Sequence, residues 1–141
     1  MSERMKEAIT VQTVVNAPIA RVWECWNKPE HITGWAFASN DWEAPAAEND
    51  LRTGGKFKTV MAAKDKSTGF DFTGTYSVVK ENQLIEYEMD DGRHVKVEFE
   101  NTTRGVKVSE TFEPENKYPL EMQRSGWQAI LNNFKKYVES H

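Results

Sequence analysis

Residues 8–16, AITVQTVVN, are mostly β-branched and close on Asn-Ala-Pro, which predicts a strand with Ile9, Val11 and Thr13 on one face. Ile19, Val22, Trp23 and Trp26 then recur at the spacing of one buried helical face, with Asn16 as N-cap and Pro18 in the first turn. Asn27-Lys28-Pro29-Glu30 repeats the signal: Asn27 caps, Pro29 sits early and Glu30 completes a capping-box pattern. Two short helices, about 18–26 and 29–33, are therefore expected after the first strand. From Trp35 to Gly55 the pattern weakens to a short strand at 41–46, a loop at 46–50 and a Gly54-Gly55 turn.

From Lys56 onward the period is two. Lys56 to Ala63, Gly69 to Val79 and Leu84 to Met89 read as strands, the second with Phe70, Phe72, Gly74, Tyr76 and Val78 on one side. Asp90-Asp91-Gly92 is a hairpin signal. Arg93 to Glu100 sets Val95, Val97 and Phe99 against His94, Lys96, Glu98 and Glu100, and Val106, Val108 and Phe112 continue the alternation. The last pattern is helical, about Tyr118 to Ser140. Trp127, Ile130, Leu131, Phe134 and Val138 take one side, and Gln128, Asn132, Lys135, Lys136 and Glu139 the other. Short turns between successive strands require an antiparallel sheet, and only the terminal helix is long enough to cover its apolar face. The expected class is α+β: a sheet of six to seven strands, two short helices after the first strand, and a long C-terminal helix packed over the sheet.

A length of 141 residues suits one domain, 1–141, with a core over about 8–139. Five Trp, seven Phe and four Tyr supply enough apolar surface to offset ordering entropy and exclude disorder. The net charge of −4, with no basic block, gives no nucleic-acid footprint. No apolar run reaches the ~18 residues of a membrane span. Met1 to Glu7 is polar and leads into no secretory core, so the expected compartment is the cytoplasm.

Several strings narrow the family. Ala17-Pro18-Ile19-Ala20-Arg21-Val22-Trp23 resembles an AP-x-x-x-V-W helix opening, and Asp50-Leu51-Arg52-Thr53-Gly54-Gly55 a D-L-R-x-G-G strand entry. Asp91-Gly92-Arg93 and Met122-Gln123-Arg124-Ser125-Gly126-Trp127 through Leu131 look like the hairpin and a terminal GW-x-x-x-L helix. In this order and spacing, over about residues 8–139, they resemble the bacterial branch of the family named after the activator of the 90-kDa heat-shock protein's ATPase, in the START-like (SRPBCC) superfamily. The resemblance implies a helix-grip fold: a curved sheet around the long helix, with a cavity able to take an apolar ligand. It also implies a chaperone-like protein partner as an alternative.

Chemistry is sparse. Cys25 sits beside the apolar helical face and reads as a packed or partly exposed thiol rather than a nucleophile. His94 alternates with Lys96 and Glu98 toward solvent, and neither His31 nor His141 has a second ligand at metal spacing, so no metal or cofactor is expected. Glu110 shares the parity of Val106, Val108 and Phe112, and Arg93 that of Val95, Val97 and Phe99, which points both inward. With Asn101 to Gly105 as the turn, Phe99 opposes Val106, Val95 opposes Glu110, and Arg93 lies diagonal to Glu110. This pair reads as a polar anchor in a cavity, as an ion pair at a sheet end, or as a bulge that turns Glu110 outward. The expected cavity residues are Trp23, Trp26, Phe72, Tyr76, Val97, Val108, Trp127, Ile130 and Phe134. The expected function is binding of a small apolar molecule there. A protein-interaction module, or a cyclase- or hydratase-type enzyme with Glu110 as base and Arg93 steering charge, are the alternatives.

Overall fold

The period-two segments form one antiparallel sheet in the computed structural model, which describes residues 8–141. Its strands are β1 (Ile9–Val15), β2 (Trp42–Asn49), β3 (Lys56–Ala63), β4 (Gly69–Lys80), β5 (Leu84–Met89), β6 (His94–Thr102) and β7 (Gly105–Phe112). Their order across the sheet is β1-β7-β6-β5-β4-β3-β2, a meander closed by β1 on its last strand. Helices α1 (Ile19–Asn27) and α2 (Pro29–Ile32) carry the chain from one edge to the other, and α3 (Leu120–Ser140) is held in the curl of the half-barrel. The polar start at Met1 to Glu7 lies outside the described residues.

Three local expectations are corrected. β2 continues through Ala46 to Asn49, where a loop was expected, because pairing with Val60 through Phe57 outweighs the poor strand propensity of Ala-Ala-Glu-Asn. A register break between Glu43 and Ala46 accommodates Pro45, which an edge strand tolerates because Pro has no N–H to donate. In β4 a second break between Tyr76 and Val78 shifts the parity. Val79, not Val78, then packs with the core opposite Ile85. Neither Asn cap forms: the residue before α1 is Pro18 and the residue before α2 is Lys28, with no side-chain cap bond at either. Asn27 is instead the buried last residue of α1, its Nδ2 donating to the Trp23 carbonyl.

The β6–β7 register also differs by two residues. β6 runs on to Thr102, which pairs with Gly105, so Phe99 opposes Val108, Val97 opposes Glu110 and Val95 opposes Phe112. The Thr102 hydroxyl holds this tight turn by donating to the Gly105 carbonyl and accepting from the Arg104 amide. An even shift preserves the face of every side chain, so Phe99, Val106 and Glu110 still point inward.

The polar side of α3 lies where the spacing places it, and part of it binds the neighbouring strand. Arg124, Gln128 and Lys135 reach across to β1 and donate to the carbonyls of Thr10, Gln12 and Val14, at 3.3, 3.1 and 2.7 Å. These carbonyls lie on an edge strand, where unpaired groups invite pairing with another chain. The helix is thus fastened along β1, and Val15, Val22, Cys25, Phe112, Leu131 and Phe134 are fully buried at that side. Cys25 has no exposed surface, and desolvation raises its thiol pKa, which disfavours the reactive thiolate.

Candidate ligand cavity

Because α3 is fastened toward β1, its other flank stands over β3, β4 and β5 without filling the curve of the sheet. The space left is a cavity of about 670 Å³. Trp127 and Ile130 of α3 and Trp26 of α1 border it, facing Phe72 and Tyr76 across the sheet. Arg93 and Glu110 border it as well. These seven are among the positions expected from sequence; Trp23, Val97, Val108 and Phe134 are elsewhere. Trp23 packs edge-on to Phe99 with ring centres 5.2 Å apart, and Phe134 fills the space between Trp26 and Trp35 at 4.9 and 4.8 Å. Val97 and Val108 have no exposed surface beneath them. Where α1 packs against β6 and α3 against β1, the inward side chains meet and close the space between them.

The rings at the cavity are held in place. Trp127 stacks on Phe112, centres 4.0 Å apart and planes 7° from parallel. Phe57, which sequence reasoning passed over, lies edge-on to Tyr87 at 4.8 Å and beside Tyr76 at 5.3 Å. Gly74 makes room for it, since a Cβ there would come within 2.7 Å of the Phe57 ring. Tyr76 donates its hydroxyl to Asn49 Oδ1 at 2.6 Å, and Asn49 Nδ2 donates to the Asn27 carbonyl at 2.7 Å. That chain ties β4, β2 and α1 together at the cavity wall. Tyr87 was legible in principle, having the inward parity of Ile85 and Met89. Trp35 and Asn49 fell in the weakly patterned stretch and carried no signal.

Glu110 is the outlier. Only 6% of its surface is exposed, its strand neighbours in register are Val11 and Val97, and among the described residues no hydrogen bond or ion pair reaches its carboxyl. Burial raises its pKa to about 8, because a carboxylate there would lose its hydration without a compensating partner. The expected diagonal pairing with Arg93 is not made. The two-residue register change moves Arg93 further along, into the β5–β6 hairpin, where its Nε donates to Asp91 Oδ2 at 2.9 Å and its Nη1 to the Glu113 carbonyl at 3.3 Å. The bulge alternative is also excluded, since Glu110 faces inward.

Two buried polar groups carried no signal in the sequence pattern. Gln123, buried on the first turn of α3, accepts from the Glu115 amide and donates to the carbonyls of Glu115 and Tyr118, which fixes the segment leading into the helix. Glu113, fully buried just after β7, accepts from the backbone and the ring Nδ1 of His94. His94 is more than half exposed on the outer face, yet it is tied to this carboxylate. Among the described residues no cluster of three or more His, Cys, Asp or Glu is placed to hold a metal, and no helix is long and apolar enough to cross a membrane.

The family described as Activator of Hsp90 ATPase homolog 1-like protein matches residues 16–139. The solution structure of the AHSA1-like protein from Aeromonas hydrophila is 44% identical, with a TM-score of 0.89 over 94% of this chain and 92% of that one. A protein from Cytophaga hutchinsonii is 52% identical, with a TM-score of 0.82 over 95% and 93% of the two chains. A Nitrosomonas europaea protein, at 18% identity and a TM-score of 0.82 over 96% of each chain, shares the fold. Among proteins of curated function none matches. Helix-grip architecture, a family match over nearly all of the described chain and two solved relatives of this similarity agree: the chain belongs to the activator of Hsp90 ATPase homolog 1-like family of the START-like superfamily.

Proposed function

We propose that the chain binds a small apolar molecule, aromatic or lipid-like, in the cavity between α3 and the sheet. Membership of the family is compatible with ligand binding and with contact to a chaperone; the cavity favours the first. Its volume, about 670 Å³, falls within the roughly 300–1,000 Å³ of small-molecule sites. Its walls set aromatic and aliphatic side chains beside a group of carboxyls and amides, so burial of an apolar body would drive binding and the polar groups would orient it.

The test is native mass spectrometry of the protein purified from cells, together with titration of a fluorescent apolar probe followed by NMR. A co-purified molecule, or probe-induced shifts at the Trp127 indole and the β3–β5 amides, is the expected result. His94, Lys96 and Glu98 on the outer face should not respond directly. If no molecule co-purifies and the probe leaves these signals unmoved, ligand binding is wrong and an interaction through the protein surface becomes the better account.

A further inference from the structure

The ionisable groups bordering the cavity are unequal in sign. Among the described residues, Asp71, Asp90, Asp91, Glu110 and Glu115 contribute carboxyls, against one cation, Arg93. Asp71 is offset by Lys58 at 3.5 Å, and Arg93 is committed to Asp91 at 2.9 Å. Asp90 accepts from the Thr73 hydroxyl, and Glu115 from the amides of Lys117 and Tyr118. These neutral donors leave the two charges in place. The remaining field at the cavity is therefore negative, and it attracts cations into a low-dielectric cleft.

Glu110 is independent of that surplus. It is 94% buried by its 6% exposure, it faces the cavity from β7, and no side chain or amide among the described residues satisfies it. Without a protein partner such a carboxyl keeps an unmet capacity for hydrogen bonding. Such a group, facing a cavity large enough to hold a small molecule, is what a ligand's polar atom would complete. The faces of Phe72, Tyr87 and Trp127, which border the same space, carry the negative quadrupole that stabilises an organic cation but not an anion.

We propose that the cavity selects an apolar organic cation, an aromatic or aliphatic body bearing a protonated amine, whose nitrogen pairs with the Glu110 carboxylate. This rests on the cavity being a ligand site and adds the class of ligand: amines over neutral analogues, and neutral analogues over fatty or aromatic acids. The free protein holds Glu110 largely neutral at pH 7, since it titrates near 8. Pairing with a cation favours the ionised form, so binding releases a proton. The other titratable or charged groups among the described residues bordering the cavity are Tyr76 and Tyr87, both pushed above the usual phenol range by burial, Tyr118, Arg93, and the carboxyls of Asp71, Asp90, Asp91 and Glu115. The helices contribute no charged group to it: α3 presents Gln123, Trp127 and Ile130, α1 presents Trp26 and α2 presents Ile32. β1 and β6 present Val11 and Val97 to Glu110 in register.

The experiment compares naphthylethylamine, naphthylethanol and naphthylacetate on the wild-type chain and on Glu110→Gln, by calorimetric titration in two buffers of different ionisation enthalpy. Above pH about 8, where Glu110 is already ionised in the free protein, the expected order is amine over alcohol by about tenfold, the advantage of a charge-assisted over a neutral hydrogen bond, with the acetate weakest. Affinity for the amine should rise with pH up to about 8 and then level off, with proton release below that pH. Glu110→Gln should abolish the amine's advantage and the proton release while keeping the alcohol's affinity, which also reports that the variant is folded. Equal binding of amine and alcohol by the wild-type chain would overturn the cation proposal and leave the cavity as a ligand site. An amine advantage that survives in Glu110→Gln would overturn the role of Glu110. If none of the three binds, the cavity itself is not a site for such molecules.

Discussion

The buried carboxyl of Glu110 makes the stability of the fold depend on pH. In the unfolded chain its carboxyl ionises near 4.5, whereas in the folded chain burial holds the proton up to about 8. Between these values the native state carries a proton that the unfolded state has lost, so stability falls as pH rises across that window. The expected loss from pH about 5 to pH about 8 is on the order of a few kcal/mol. Glu110→Gln should flatten this slope, and denaturant unfolding of both proteins across the window measures the difference. The two α3 rings should behave differently from each other. Phe134 is fully buried between Trp26 and Trp35, so Phe134→Ala should destabilise by about 3–5 kcal/mol. Trp127 stacks on Phe112 but borders open volume, so Trp127→Ala should cost less, about 1–3 kcal/mol. Equal losses in thermal unfolding would mean that no space exists beside Trp127.

Among the elements, α3 does two jobs with two stripes. Leu131, Phe134 and Val138 pack inward, while Arg124, Gln128 and Lys135 satisfy the edge carbonyls of β1. Lys135 also pairs with Glu139, which in turn accepts from the Asn16 amide and so holds the exit of β1. Lys135→Met keeps the apolar stem and removes the donor, and should cost about 1 kcal/mol through the Val14 carbonyl. Lys136→Ala, on the exposed side with no such bond, should change stability by less than about 0.5 kcal/mol. Faster amide exchange confined to the β1–β7 pair in Lys135→Met would locate the effect; identical exchange in both variants would remove the edge-capping role.

At the scale of the whole molecule, a filled half and an open half share one sheet. β1 and most of the inward face of β6 and β7 are packed by α1 and α3, whereas β3, β4 and β5, joined by Glu110 of β7, face the cavity. Adding volume should therefore have opposite results on the two sides. Val97→Phe forces a ring into the filled half and should destabilise by about 1–3 kcal/mol. Ile130→Phe adds comparable bulk toward the cavity and should leave the melting temperature near that of the parent while weakening apolar-probe binding. A large stability loss in Ile130→Phe would show that the cavity is tightly closed in solution.

Backbone geometry alternates side chains every residue in a strand and returns them every three to four in a helix, so the inward faces of β6 and β7, the apolar stripe of α3 and the inward aim of Glu110 were all legible from local spacing. The order of elements, with turn residues at the right places, then restricted the architecture to a sheet covered by a terminal helix. Register was another matter, because moving β6 against β7 by two residues leaves each face intact while changing every neighbour. That change put Val97 opposite Glu110 and left Arg93 to Asp91, so the carboxyl's lack of a partner could not be read from parity. The cavity was decided later still. It exists because long-range bonds fasten α3 toward β1, and the volume left on the far flank is a difference between the shape of the whole sheet and the side chains filling it. No local stretch of the chain encodes that difference.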